Sequence, residues 1–555
     1  MIESLKETFF VGVGVLLAVV LLAANHLTWL IIVLVAAAVV GLALRFALGP
    51  QRKLPVNRVR YQRVRLWLRL HPGRGHATSF QLFWRWGRWA SFRQSGRVRA
   101  SLSWRQRLHA DEHSIYLGRA QHGRRVRVGL QENVLILAPP RVGKSGFLAK
   151  TVLHAPGPVV SGSTRDDIFR LTSGVRSKRG KIAVFNPQQI GSVPSTFAWN
   201  PLDGCEVPAT AIRRADSLVY ATAGEQAGGD DQAWWTSKAS SALRSLLLAG
   251  ASLGVPFSTV ATWIQSGDFS VAINFLRQTG HAQFAANLNE LMGPAERTSA
   301  TIRMFMSRCV AFMSDPLLAK AVQPENGNQL DIDEFVSGPN TLYLIGESQG
   351  TEAPLAPLHA ALTTQIQFRA VQLGSQQKGG RLDPPMLLAL DEATQTTPVP
   401  LPTWLADGAG KGIPVMTVAH GVSQLRRTYS EHGARAILDT SGVWILLGGI
   451  SDPQTLEMAE KLSGQVAITE RGSDAHARHP VLSAEMVREL PPGFAVVLRG
   501  ALAPVIVRLP MAWRDRTYKW ALRRGEAVAQ LAQPGHAVTD WPDELAIEAD
   551  LEGAA

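Results

Sequence analysis

Apolar positions along this chain fall into three textures. The first is one continuous run, Phe9 to Leu48, forty residues with no acid and a single cation near its end, Arg45. As one straight helix it would be about 60 Å long, twice the roughly 30 Å hydrocarbon core of a bilayer. The pattern therefore predicts two spans joined at Asn25 to Trp29. A secretory signal peptide is the alternative for the first span, but Lys6 is the only cation ahead of it and a second span follows at once. The second texture consists of short apolar blocks bounded by Gly, Pro or Asn: VLIL at 134–137, GKIAVFNP at 180–187, NTLYLIGE at 340–347, LLAL at 387–390, GIPVMTVAH at 412–420 and SGVWILLGG at 441–449. Most are continuous rather than alternating, which predicts parallel strands covered on both faces. The third texture runs from about 205 to 330 and is helical in period, as in QAWWTSKASSALRSLLLAGASL and AERTSATIRMFMSRCVAFM, with no strand-like block.

Composition changes this picture little. The 555 residues exceed one ordinary core, and 46% hydrophobic with 18% charged residues excludes a disordered chain. Cys205 and Cys309 are too few for a disulfide framework or a zinc site, and read as ordinary buried residues in a reducing compartment.

Charge changes it more. Residues 51–128 hold nineteen Arg and Lys against Asp111 and Glu112, whereas residues 1–50 are neutral and the remainder slightly acidic. A basic flank directly after the apolar run places residues 51 onward on the cytoplasmic side. Within it, LFWRWGRWASFRQSGRVRASLSWRQR interleaves arginines with Trp84, Trp86, Trp89 and Trp104. Arginines on anionic headgroups with interfacial tryptophans is one reading; arginines on phosphates with rings stacked on bases is the other. At the far end no Lys or Arg follows Arg524, and residues 540–555 carry six acids, either a solvated tail or a docking peptide for a basic partner.

The chemistry lies at the ends of two predicted strands. After VLIL comes APPRVGKS, the phosphate-loop pattern with Ala138 in place of its first glycine. Gly143 allows the backbone turn, and the N–H groups of Val142, Gly143, Lys144, Ser145 and Gly146 can converge on a phosphate at a helix N-terminus; Arg141 belongs to the same loop. Lys144 can reach the β- and γ-phosphates, and the Ser145 hydroxyl can ligate Mg²⁺. Pro139 and Pro140 offer no donor, so the cradle rests on the second half of the loop. After LLAL come Asp391 and Glu392, at the carboxyl end of a strand, where open parallel sheets bind ligands. With a phosphate loop present, Asp391 is expected to help hold Mg²⁺ and Glu392 to polarise the attacking water; without it, a solvated acidic turn would be the simpler reading. His420 closes the following strand and is a candidate sensor of the γ-phosphate, or simply a structural histidine.

Taken in order, the apolar hairpin, the phosphate loop, VFNP, FAWNPLDG at 197–204, the helical insertion, LDIDEFVSGPNTLYLIG, the carboxylate strand and LADGAGKGIPVMTVAHGVSQLRRTYSEHGARAIL resemble the type IV secretion coupling proteins of the TraG/TraD conjugation class, including their TraM-recognition segment. Together with the strand pattern this predicts an α/β fold: a P-loop NTPase (RecA-like) parallel sheet with an inserted all-α domain and an N-terminal two-helix transmembrane anchor. The expected organisation is a hairpin anchor over 1–50, a basic juxtamembrane region over 51–128, the ATPase domain over 129–204 and 331–510, the insertion over 205–330, and a C-terminal helix with acidic tail over 511–555.

The resemblance further implies an Mg²⁺-dependent ATPase in the bacterial inner membrane, assembled as a hexamer. Its implied partners are DNA, a relaxase or nucleoprotein complex, the channel proteins and membrane lipids. An arginine from a neighbouring subunit would complete each site, with Arg427, Arg435 and Arg308 as candidates. His420 stands where that class commonly has Gln, and the link between the spans is only about five residues. An FtsK-like translocase or protein-secretion ATPase shares the anchor and loop, and a nucleotide-binding membrane adaptor without turnover is the alternative outside the enzymes.

Overall fold

The computed structural model describes Ala37 and residues 75–531, except 121–122, 224–228, 293–295, 325–327, 348–353 and 470–475. The predicted spans and the acidic tail at 540–555 lie outside the described residues. Among the described residues no helix is long and apolar enough to cross a membrane.

Eleven strands form one sheet. In chain order they are β1 (Ser114–Arg119), β2 (Arg125–Gly129), β3 (Val134–Leu137), β4 (Val159–Ser163), β5 (Ile182–Phe185), β6 (Thr341–Ile345), β7 (Leu387–Leu390), β8 (Val415–Ala419), β9 (Val443–Leu447), β12 (Phe494–Arg499) and β13 (Leu502–Arg508); β10 (Gln465–Thr469) and β11 (His476–Pro480) pair separately. Across the sheet the order is β2-β1-β13-β12-β9-β3-β8-β7-β4-β6-β5. From β9 to β5 every pairing is parallel. From β9 outward through β12, β13, β1 and β2 every pairing is antiparallel. All six predicted blocks are parallel strands here, and β4 is a seventh.

Strand alternation divides the core. Leu135 and Leu137 face one hydrophobic cluster, shared with the helices between β5 and β6. Val134 and Ile136 face the other, shared with Phe147 and Val152 of the helix Lys144–His154 and with Val126 and Val128 of β2. Among the described residues the stretch between β5 and β6 contains helices and no strand. Its first long helix, Pro208–Ala223, packs on Gly229–Leu253 and on Ala356–Ser375. The WNPLDG stretch and this first helix both hold the helix Ala356–Ser375: Trp199 Nε1 and Arg214 Nη2 donate to Gln365 Oε1 at 3.1 and 2.7 Å. The Arg214 guanidinium lies 4.5 Å from the Trp199 ring centroid. Cys205 and Cys309 are buried thiols, pushed by burial up to about 11 and about 12.

The Arg- and Trp-rich stretch is not uniform. Trp86 is fully buried with Arg499 over its ring, whereas Trp84, Trp89 and Trp104 are exposed. Arg99 pairs with Asp383 at 2.9 Å, Arg127 pairs with Asp111 at 2.7 Å, and β1 and β2 extend the main sheet. Part of the basicity read as a ligand-facing surface is therefore structural: Arg99 ties the segment to the chain just before β7, and Arg127 holds the segment to itself.

Candidate active site

β3 and β7 are buried at every position and lie two strands apart with β8 between them, so their carboxyl ends open on one edge of the sheet. At the end of β3 the chain still behaves as strand: the Ala138 N–H donates to Ala419 O at 3.0 Å, and the Ala138 methyl is buried in the core. A side chain replaces the usual glycine here without disturbing the ladder. The loop then turns through Arg141 (φ 61°) and Gly143 (φ 90°) into the helix Lys144–His154. Gly143 is the residue for which left-handed backbone costs nothing.

The loop and the carboxylates meet directly. Ser145 Oγ donates to Asp391 Oδ2 at 2.7 Å, and Lys144 Nζ donates to Glu392 Oε1 at 2.8 Å. His420 Nε2 stands 3.7 Å from that same Glu392 oxygen, while its Nδ1 lies 3.2 Å from Ala138 O. Five residues picked out separately along 277 positions of sequence, Lys144, Ser145, Asp391, Glu392 and His420, thus form one constellation. Glu392 adopts φ 55°, ψ 47°, uncommon for a side-chain-bearing residue and costing on the order of 1–3 kcal/mol. That backbone is what the chain adopts in aiming the carboxylate at Lys144.

Asp391 is buried, and its second oxygen, Oδ1, has no hydrogen-bond partner among the described residues. Burial pushes its carboxyl above the ordinary value, against the pull of the Lys144 ammonium and the Ser145 hydroxyl. A buried carboxylate with an orphaned oxygen beside a serine hydroxyl fits a hard cation.

Other residues of the site gave little sequence signal. Gln424 accepts from the His420 N–H at 2.7 Å and donates to Thr394 at 2.9 Å, tying the end of β8 to the turn after the carboxylates. Asp167, just after β4, is held up by burial and by the neighbouring Asp166 charge, and its own charge acts on Asp391. Met511 and Trp513 reach the loop from the C-terminal segment. Arg427 and Arg435 sit on the helix Val422–Thr440 and Arg308 in the last turn of Glu296–Cys309; all three are exposed. Among the described residues none of them bonds to the constellation.

A sequence model of the family described as type IV secretory system conjugative DNA transfer matches residues 90–483, most of the chain. The chain belongs to that family. No curated protein sequence matches it. Among solved structures, the bacterial conjugative coupling protein TrwBdeltaN70, in an unbound form, is similar at 18% identity with a TM-score of 0.54, over 72% of this chain and 90% of that one. The plasmid coupling protein TrwB in complex with the ATP analogue ADPNP gives 19% identity and a TM-score of 0.52, over 70% and 88%. TrwB with ADP and Mg²⁺ gives 20% and 0.51 over the same shares. At these identities the likeness shows that the conjugative DNA transfer chain has the TrwB fold, a large sheet of the P-loop NTPase kind.

Proposed function

We propose that this conjugative DNA transfer protein is an ATPase that couples hydrolysis to delivery of DNA or nucleoprotein into a type IV secretion channel. The observation that carries the reading is the double contact of Lys144 with Glu392 and of Ser145 with Asp391. Two consecutive loop residues face two consecutive carboxylates, so a phosphate entering the loop lies between a charge donor and a base. The TrwB complexes with ADPNP and with ADP and Mg²⁺ support ATP as ligand and Mg²⁺ as its ion.

In this reading the backbone N–H groups from Arg141 to Gly146 orient the phosphates. Lys144 leaves Glu392 and takes the β- and γ-phosphates, which frees Glu392 to accept a proton from the attacking water. Ser145 and Asp391 would hold Mg²⁺, whose charge would stabilise the transferring phosphoryl group. His420, within reach of Glu392 and fixed through Ala138 and Gln424, reports the state of the γ-phosphate to β8. An exposed arginine from a neighbour, Arg427, Arg435 or Arg308, completes the site in a ring. The remaining parts of the proposal are a two-span anchor within 1–50 in the inner membrane, contact with lipid headgroups through the basic flank, a hexameric assembly around DNA, and a relaxase and channel proteins as partners. They rest on sequence pattern and family membership.

The test is ATP hydrolysis by the full chain in detergent, with and without single- or double-stranded DNA, with Lys144→Ala as the blank. Turnover raised several-fold by DNA and absent from the blank is expected; turnover indifferent to DNA would count against a DNA motor.

A further inference from the structure

The phosphate loop and the two carboxylates account for one end of a nucleotide, and none of them would contact the other end, the base. The C-terminal segment lies where that contact is needed. After β13 ends at Arg508, the chain crosses the first turns of the helix Lys144–His154. A Cβ built on Gly143 would lie 3.1 Å from Met511 Cε, and one built on Gly146 would lie 2.0 Å from Trp513 Cζ3 and 2.4 Å from its Cη2. The indole therefore occupies the place of a side chain at 146, so this position admits only glycine while Trp513 is seated. Further along the same helix Asp515 pairs with Lys150, and His154 Nε2 lies 3.2 Å from its carboxylate. Residues 511–515 are thus pinned along the helix at three points. Met511 is buried and Trp513 is half-buried.

We propose that Met511 and Trp513 form the nucleobase subsite of this nucleotide site, a proposal that rests on the nucleotide reading above. The direction of the ligand follows from the loop. Lys144 faces Glu392 and so takes the γ end, while the α-phosphate falls to the backbone N–H groups that follow Ser145. Gly146 supplies the first of these, and ribose and base leave the loop from there. The aromatic surface packed against Gly146 is Trp513, and Met511 lies earlier along the loop against Gly143. An indole face and a polarizable thioether recognise the π-face that every base shares. The subsite accordingly takes nucleoside triphosphates with little regard to the base and discriminates weakly between adenine and guanine.

The experiment compares Mg²⁺-ATP, Mg²⁺-GTP and inorganic tripolyphosphate, which has no base, as ligands of the full chain and of its Trp513→Leu and Trp513→Phe variants. Trp513→Leu keeps an apolar side chain against Gly146 but removes the aromatic face. It is expected to weaken ATP and GTP about tenfold, in the range of a lost base stack, and to leave tripolyphosphate unchanged. Trp513→Phe is expected to recover most of the loss. Equal weakening of tripolyphosphate, or no weakening of any ligand, would overturn the proposal, since Trp513 would then be only a support for the loop. A wild-type chain that binds none of the three, or a Lys144→Ala chain that binds them as well as wild type, would instead sink the nucleotide reading itself.

Discussion

Two buried cations stand at opposite edges of the parallel sheet, and their surroundings differ in kind. Arg176, at the amino-terminal edge, is fully buried and donates to the carbonyl oxygens of Ala155, Gly157, Pro339 and Asn340 and to Thr341 Oγ1, between 2.6 and 3.3 Å. Every one of these acceptors is neutral and belongs to the chain entering β4 or β6. Burial lowers the guanidinium to about 10, so it stays charged at neutral pH. Lys144, at the carboxyl-terminal edge, is held by one hydrogen bond to one carboxylate on a left-handed residue. A cation saturated by backbone carbonyls is fixed, because any rearrangement strands several buried acceptors. A cation satisfied by a single carboxylate can exchange that partner for a phosphate. The same sheet thus holds a structural cation at one edge and a chemical one at the other.

The contrast can be broken most severely at Arg176. Arg176→Met should orphan Gly157 O, Pro339 O and Thr341 Oγ1, since Asn340 O keeps the Val159 N–H and Ala155 O keeps Arg179, and should destabilise the chain by about 3–5 kcal/mol, read by urea or thermal unfolding, while the protein that remains folded keeps its nucleotide affinity. Loss of affinity without loss of stability would reverse the assignment of the two edges. Lys144→Ala should do the opposite: ATP turnover falls at least about 10²–10³-fold and the unfolding midpoint barely moves. Glu392→Gln should lower turnover by about 10²-fold with nucleotide still bound. Unchanged turnover in that variant would favour an adaptor that binds nucleotide without hydrolysing it.

The smallest effect concerns an intermediate case, the Lys150–Asp515 pair. Burial alone would raise the Asp515 carboxyl, but hydrogen bonds from His154, Lys150 and Thr517 hold it well below the usual carboxylate range. Its contribution is therefore present above the unfolded value, near 4, and is lost as pH falls from there towards the folded value. Asp515→Asn should flatten the acid limb of the stability–pH curve and leave the neutral and alkaline limbs parallel to wild type.

What could be read in the sequence follows the same physics. β3 and β7 appear with the same ends as the apolar runs 134–137 and 387–390, because a strand covered on both faces must be apolar throughout. β4 escaped for the complementary reason. Its Ser161, Gly162 and Ser163 interrupt the apolar run, and Gly162 lies so close to Thr397 that a Cβ would sit 2.7 Å from its hydroxyl, so only a small residue fits. β1 and β2 were hidden by their arginines, of which Arg127 finds its partner, Asp111, on the turn before β1. At the site, the motif residues were legible because phosphate chemistry restricts residue type and spacing. Gln424, Asp167, Met511 and Trp513 were not, since each acts through a tertiary contact that no local pattern announces.

The way the C-terminal segment is pinned also has a mechanical side. Beyond Asp515 the chain continues into the helix Arg516–Arg523 and then lies along the helix Asp167–Arg176, where Gly174 N–H donates to Ala527 O at 3.2 Å and Ala529 N–H to Ser173 Oγ at 3.0 Å. A pull on the chain beyond Leu531 is resisted first by these contacts and next by the Asp515 anchor. Only after both yield does tension reach Trp513, Met511 and β13. The nucleotide loop is thereby insulated from forces of ordinary size at that end of the protein, and feels them only when the tether beneath it gives way.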